Sequence, residues 1–104
     1  MPSSELSVMF SYVYLLHSLK NGQLYVGFTN DLKKRVTEHN KGQNRSTRPY
    51  TPWELIYYES HRSEKDAHRR EKYFKTSAGK SSLKRMLREQ LTAMNDLSQQ
   101  KVYF

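Results

Sequence analysis

Phe10-Ser11-Tyr12-Val13-Tyr14-Leu15-Leu16-His17, then Lys20-Asn21-Gly22-Gln23, then Leu24-Tyr25-Val26-Gly27-Phe28-Thr29: two aromatic and β-branched runs flank a turn signal. Runs of this composition read as strands. Asn and Gly tolerate the positive φ that a tight hairpin turn demands, so Asn21-Gly22 predicts antiparallel pairing. Any connection with an even number of loop residues puts Tyr14 and Tyr25 on one face, because opposed residues share a face and faces alternate along each strand. Gly27 falls on that face too. Its missing side chain is expected to leave a gap beside the tyrosines that a sugar-phosphate backbone could approach.

Downstream of the hairpin, Asn30 or Thr29 is placed to cap a helix reaching about His39, with Leu32 and Val36 four apart and Gly42 beyond its end. Residues Lys41 to Pro52 hold Gly42, Pro49 and Pro52 with Arg45 and Arg48, and read as an exposed basic loop. Trp53 to Ser60 alternates without a purely polar face, which predicts a central third strand covered on both sides. Ser63 caps a second helix to about Lys75, with Ala67 and Phe74 on one stripe. After a break at Ser77-Ala78-Gly79, a third helix from about Ser82 to Met94 aligns Leu83, Leu87, Leu91 and Met94. The expected fold is α+β: a small three-stranded, mostly antiparallel sheet flanked by about three helices, in the order β-β-α-β-α-α. Residues 1–9 form an N-terminal extension, 10–94 the domain and 95–104 a tail.

Polar groups interrupt the inward stripes. Positions 32, 35, 36 and 39 follow helical spacing, so Arg35 and His39 border Leu32 and Val36. Glu71 sits on the stripe of Ala67 and Phe74, where a carboxylate needs a partner. Taken singly, each has an ordinary explanation: a salt bridge for Glu71, a stem packed along the helix for Arg35, a hydrogen-bonded histidine at a helix end for His39.

With 104 residues the chain suits one compact domain. Eighteen Lys and Arg against ten Asp and Glu give a net charge of +8, and the pI of about 9.8 favours a polyanionic partner, nucleic acid foremost. The absence of cysteine excludes disulfides, thiolate metal sites and a cysteine nucleophile. No segment reads as a signal peptide or a membrane span, so a cytoplasmic protein with no membrane partner is expected.

Tyr12-Val13-Tyr14, ten intervening residues, then Tyr25-Val26-Gly27 resembles the paired elements that name the GIY-YIG endonuclease superfamily. Leu32-Lys33-Lys34-Arg35 resembles the family's basic helix start, His39 lies one turn on, and Arg70-Glu71-Lys72 resembles its metal-binding glutamate. The likeness spans roughly residues 11 to 90 and is nearest to the small, single-domain bacterial members. Tyr12 stands where the name-giving glycine would be, Phe28 where excision-repair relatives often carry lysine, and no asparagine occurs between Glu71 and Asn95, where some relatives have one.

The resemblance implies a metal-dependent endonuclease acting on nucleic acid, with DNA the expected substrate and repair or recombination the expected setting. It implies catalytic roles for Tyr14, Tyr25, Arg35, His39 and Glu71, with Glu71 holding one Mg²⁺ or Mn²⁺ ion. Tyr14 would act on the attacking water, Tyr25 and His39 would assist, and Arg35 would bind the scissile phosphate. An unperturbed phenol titrates near pH 10, so such work by Tyr14 needs a positive neighbour, for which Arg35 is placed. Lys33, Lys34, Arg45 and Arg48 are candidates for backbone phosphate contacts, with Gly27 giving close approach. Targeting would come from a protein partner or a second copy.

Other signals fail on their own terms. Gly79-Lys80-Ser81 resembles the end of a P-loop, but Phe74 stands where its first glycine belongs. Ser81 and Lys84 lack the rest of a serine–lysine apparatus, and His68 with Glu71 is too few ligands for zinc. Two alternatives to a nuclease remain: a nucleic-acid-binding module without activity, and an interaction module using Val102 to Phe104.

Overall fold

The computed structural model describes residues 9–98 and residue 102. Among these, the chain forms β1 (Ser11–Ser18), β2 (Leu24–Thr29), α1 (Leu32–Asn40), a 3₁₀ turn (Arg48–Tyr50), β3 (Trp53–His61), α2 (Glu64–Phe74), α3 (Ser77–Met86) and α4 (Arg88–Ser98). The expected α+β architecture is present, with a three-stranded antiparallel sheet.

The sheet order is β2-β1-β3, so β1 and not β3 is central. Almost every side chain of β1 is buried, whereas β3 is an edge strand with Glu54, Tyr58 and Ser60 exposed. A strand hydrogen-bonded on both edges needs cover on both faces, and the unbroken apolar run of β1 meets that demand. β3 exposes part of its aromatic content instead.

The hairpin closes with four residues between the paired Ser18 and Gln23, not two. Ser18 donates its N–H to the Gln23 carbonyl, Gly22 donates to the Ser18 carbonyl, and Gly22, the turn's one glycine, takes a positive φ of 82°. The Ser18 hydroxyl accepts the N–H groups of Lys20 and Asn21. Four is an even count, so Tyr14 faces Gly27, Leu16 faces Tyr25, and both tyrosines share a side of the sheet.

Two apolar layers form, one on each face. On the tyrosine face, Tyr14, Leu16 and Trp53 pack with Tyr25 and Leu55 under Leu32 and Val36 of α1. On the other, Val13, Leu15, Leu24 and Val26 meet Ala67 and Phe74 of α2, Leu83 and Leu87 of α3 and its cap, and Leu91 of α4. Val102 rests against this second layer.

Local signals differ from expectation in three places. Asp31, not Asn30 or Thr29, caps α1 by accepting the Lys34 N–H at 3.1 Å. Ser77-Ala78-Gly79 opens α3 rather than breaking the chain: the Thr76 hydroxyl caps it by accepting the Gly79 N–H at 3.0 Å. Gly79 is there because a Cβ would collide with the Tyr73 carbonyl, so the residue is selected for close approach of α2 and α3. The expected third helix divides at Leu87, yet Leu83, Leu87 and Leu91 all reach the core. Helix α4 runs past Met94 to Ser98; the N-terminal extension as far as residue 8, and residues 99–101, 103 and 104 of the expected tail, lie outside the described residues.

Candidate active site

Tyr14 is presented by the central strand and is 1% exposed. Its hydroxyl lies 2.8 Å from Nε2 of His39, which comes from the last turn of α1 and is fully buried. Nδ1 of His39 lies 2.7 Å from Oγ1 of Thr47. Tyr25 completes an aromatic cluster, its ring centroid 5.3 Å from His39, 6.2 Å from Trp53 and 6.5 Å from Tyr14. Tyr25 is only partly buried, so it is the tyrosine of the pair that solvent reaches.

Arg35 sits one turn before His39 on α1. Its guanidinium donates from Nη1 to Glu38 Oε1 at 3.0 Å, and its charge favours the ionised form of the Tyr14 phenol. With its side chain about one-third exposed, it retains donors for a ligand, since a guanidinium has five.

Glu71 arrives from α2, on the opposite layer. Its Oε2 lies 3.1 Å from Lys75 Nζ and its Oε1 3.9 Å from His68 Nδ1. Lys75 Nζ stands 5.5 Å from the Tyr25 ring centroid, so this side of α2 reaches the tyrosines from the free edge of β2. The charge of Glu71 is felt at Tyr14. The ordinary reading of Glu71, a salt bridge to Arg35 or another base, is met by Lys75, one helical turn away.

Electrostatics follow from burial. Desolvation pushes the Tyr14 phenol up to about 12; the neighbouring Arg35 pulls the other way without prevailing. Desolvation, then the charge of Arg35, brings His39 down to about 4. Both are therefore neutral at pH 7. Tyr14 therefore rests as a phenol beside a neutral imidazole in the ligand-free protein.

The gap expected over Gly27 is closed. An added Cβ would overlap the Cζ and Oη atoms of Tyr14, so the space that glycine vacates holds the Tyr14 ring and not a ligand. His39 likewise has both ring nitrogens engaged and no exposed surface.

The cations thought to flank the site divide. Lys33 and Lys34 border a shallow surface groove with Lys41 and with Glu38, the partner of Arg35. Arg45 and Arg48 are exposed on the loop after α1. That loop is better anchored than its composition suggested: Thr47 is buried, its carbonyl accepts the Trp53 indole N–H at 2.9 Å, and the Asn40 amide bonds both backbone groups of Trp53. Thr47, Asn40 and Trp53 were missed as supports. Only the tryptophan, a large ring beside a proline-rich loop, offered a sequence cue.

A divalent ion can be tested against these residues. Among the described residues there is no group of three or more His, Cys, Asp or Glu side chains suited to a metal, which excludes a closed zinc-type cage. A single carboxylate with a partly exposed face, 19% for Glu71, does fit Mg²⁺, which keeps several waters and binds through one or two carboxylates plus phosphate oxygens.

Comparison with known proteins shows the family to which these elements belong. The GIY-YIG catalytic domain family matches residues 10–85, from β1 into α3. A UPF0213 protein of Bacillus pumilus is 42% identical over 66 residues, covering 62% of this chain and 66% of its own length. One from Clostridium perfringens is 41% identical over 66 residues, with 62% and 70% covered. One from Staphylococcus saprophyticus is 35% identical over 74 residues, with 70% and 89% covered. No solved structure matches. The two tyrosine strands, the basic helix and the glutamate helix thus fall within one matched domain, and the chain belongs to the GIY-YIG catalytic domain family.

Proposed function

We propose that this protein is a metal-dependent endonuclease that hydrolyses phosphodiester bonds, with DNA as its substrate. The observation that carries the reading is convergence: Tyr14 of β1, Tyr25 of β2 and His39 of α1 form one cluster, and Lys75, paired with Glu71 of α2, stands 5.5 Å from the Tyr25 ring. A structural salt bridge would need only a pair.

Arg35 binds the scissile phosphate, its planar donor fork matching two oxygens and offsetting the charge that grows on them. Tyr25, the accessible phenol, orients the attacking water. Tyr14 stands behind as a proton relay, donating into His39 while Arg35 favours negative character on its oxygen. Glu71 would hold the divalent ion, with exposed Lys75 swinging away from the carboxylate. When bound, the ion supplies Lewis-acid charge to the phosphate oxygens. Lys33, Lys34, Arg45 and Arg48 add contacts independent of sequence.

Cleavage of single-stranded, duplex and branched DNA and of RNA, each with Mg²⁺ or Mn²⁺, tests the proposal. Metal-dependent cutting of DNA that Glu71→Ala and a chelator both abolish is expected. Tight binding with no cutting across the panel would replace it with a binding module.

A further inference from the structure

Thr47 has no part in the roles above, yet it is 1% exposed and its hydroxyl lies 2.7 Å from Nδ1 of fully buried His39. The two nitrogens of a neutral imidazole differ: one donates a hydrogen and the other accepts one. Which is which is set by what lies at the two ends of this hydrogen-bonded chain. At one end, His39 Nε2 is the one acceptor within hydrogen-bonding distance of the Tyr14 hydroxyl among the described residues. At the other, the Asn44 carbonyl, 3.4 Å from Thr47 Oγ1, can only accept.

One direction gives every hydrogen an acceptor. The Tyr14 hydroxyl donates to His39 Nε2, His39 Nδ1–H to Thr47 Oγ1, and the Thr47 hydroxyl to the Asn44 carbonyl. In the reverse direction Nε2–H would donate to Tyr14, whose own proton would find no acceptor among these groups. A buried hydroxyl left so costs about 1–3 kcal/mol. The segment bearing Thr47 is itself pinned, through the Trp53 indole bond to its carbonyl and the Asn40 amide bonds to Trp53.

We infer that Thr47 is a positioning residue that holds His39 as the Nδ1–H tautomer, so that Nε2 always faces Tyr14 as an acceptor. In the relay, the O–H bond of Tyr14 lengthens toward Nε2 as an N–H bond forms, and the electron pair left on the phenol oxygen is met by Arg35. The alternative tautomer would present a proton where a lone pair is needed and block the transfer. The low proton affinity of the buried ring keeps it neutral at pH 7, so it has a tautomer to fix. The catalytic meaning of this hold rests on the endonuclease reading; the tautomer does not.

Nitrogen-15 NMR of the imidazoles in the uniformly labelled full chain at pH 7 reads the tautomer directly, with His39 assigned through its backbone. Wild type should show an unprotonated Nε2 and a protonated Nδ1; Nε2–H in wild type would overturn the inference. Thr47→Ser should keep that state, and Thr47→Val should shift His39 toward Nε2–H. An unchanged Nδ1–H in folded Thr47→Val would also overturn it. If Thr47→Val does not fold, the wild-type and Thr47→Ser spectra still decide. In cleavage, Thr47→Val should lower kcat at least about tenfold with KM little changed, and Thr47→Ser should restore it. A wild type that cuts nothing would count against the endonuclease reading while leaving the tautomer result standing.

Discussion

Two polar networks sit on opposite faces of the same sheet, and they are built differently. On the helical face Glu59 accepts both Arg70 Nε and Nη2, at 2.9 and 3.0 Å, the Tyr57 hydroxyl at 2.6 Å, and pairs with His61 at 3.3 Å. Arg70 also lies 4.2 Å from the Phe74 ring centroid. On the tyrosine face Arg35 has one carboxylate partner, Glu38, and Tyr14, His39 and Thr47 carry no net charge. In the first network the carboxylate's lone pairs are filled and the charges closed on each other. The second leaves guanidinium donors and one face of the Glu71 carboxylate turned outward. A saturated ion pair has nothing to offer a ligand, and the same residue types become a candidate site only where their bonding is incomplete.

The proton affinities mark the same divide. Burial raises Glu59, but the hydrogen bonds of Arg70 and Tyr57 outweigh it and hold the carboxyl below its usual range. Burial and the Glu59 hydrogen bond together push the Tyr57 phenol well up. There each shift is explained by the partner's gain. Tyr14 and His39 are shifted mainly by burial, which is a cost borne by the fold.

The sharpest way to break this contrast is to exchange the two arginines for shorter groups. Arg35→Ala should lower cleavage by about 10²–10³-fold, the loss typical of one preorganised anion-stabilising donor, with the urea midpoint little moved. Arg35→Lys should recover only part of that rate, because a point charge lacks the fork. Arg70→Ala should do the opposite: about 2–3 kcal/mol of stability lost, since Glu59 is left buried but Arg70 is itself partly exposed, with cleavage per folded molecule retained. Equal effects of both substitutions on both readouts would erase the distinction.

The acid limb of stability separates the faces next. His39 takes a proton near 6.5 when unfolded and only near 4 when folded. Between these values the unfolded chain binds the extra proton, so stability is full above about pH 6.5 and falls as pH is lowered toward 4, by at most about 3 kcal/mol. Glu59, depressed in the fold, loses its contribution only below the ordinary glutamate range, near pH 4.5. Urea midpoints of wild type and His39→Gln from pH 7 to 4 check this: the variant should flatten the upper part of the limb and leave the lower. Tyr14, raised in the fold, should cost stability only as pH climbs from 10 toward 12.

How much of this the sequence carried depends on the range of the signal. The shared face of Tyr14 and Tyr25 was legible because it needs only an even loop, and it survived a turn of different length than expected. The stripes that aim His39 and Glu71 were legible because helical spacing is local. Which strand lies at the centre was not, since β3 alternates as a covered strand would; the continuous Tyr12 to His17 run was the better indicator. Thr47 was hidden in a polar loop because its burial comes from Trp53 and His39. Glycines were misread in both directions, Gly79 as a breaker and Gly27 as an open gap, because the sequence does not show what occupies the vacated space. Gly27→Ala tests the latter: collision with the Tyr14 ring should cost about 1–3 kcal/mol and separate Tyr14 from His39. Gly79→Ala should destabilise through the α2–α3 contact without altering the relay.

The smallest effect expected belongs to the exposed cations, and it sharpens the comparison by asking how far the open network extends. Arg45 and Arg48 stand on a loop whose base, Thr47, touches His39, while Lys33 and Lys34 border the groove that includes Glu38. If DNA crosses the tyrosine face, both pairs meet its backbone, and each phosphate contact removed should flatten the dependence of log affinity on log salt by about 0.7–0.9. Arg45→Ala/Arg48→Ala should therefore reduce the slope by about 1.5 and leave Tm and the rate at saturating DNA near wild type. Binding isotherms at several salt concentrations measure it. An unchanged slope would confine the interface to Arg35 and the α1 groove, and place the loop's role wholly in holding Thr47 against His39.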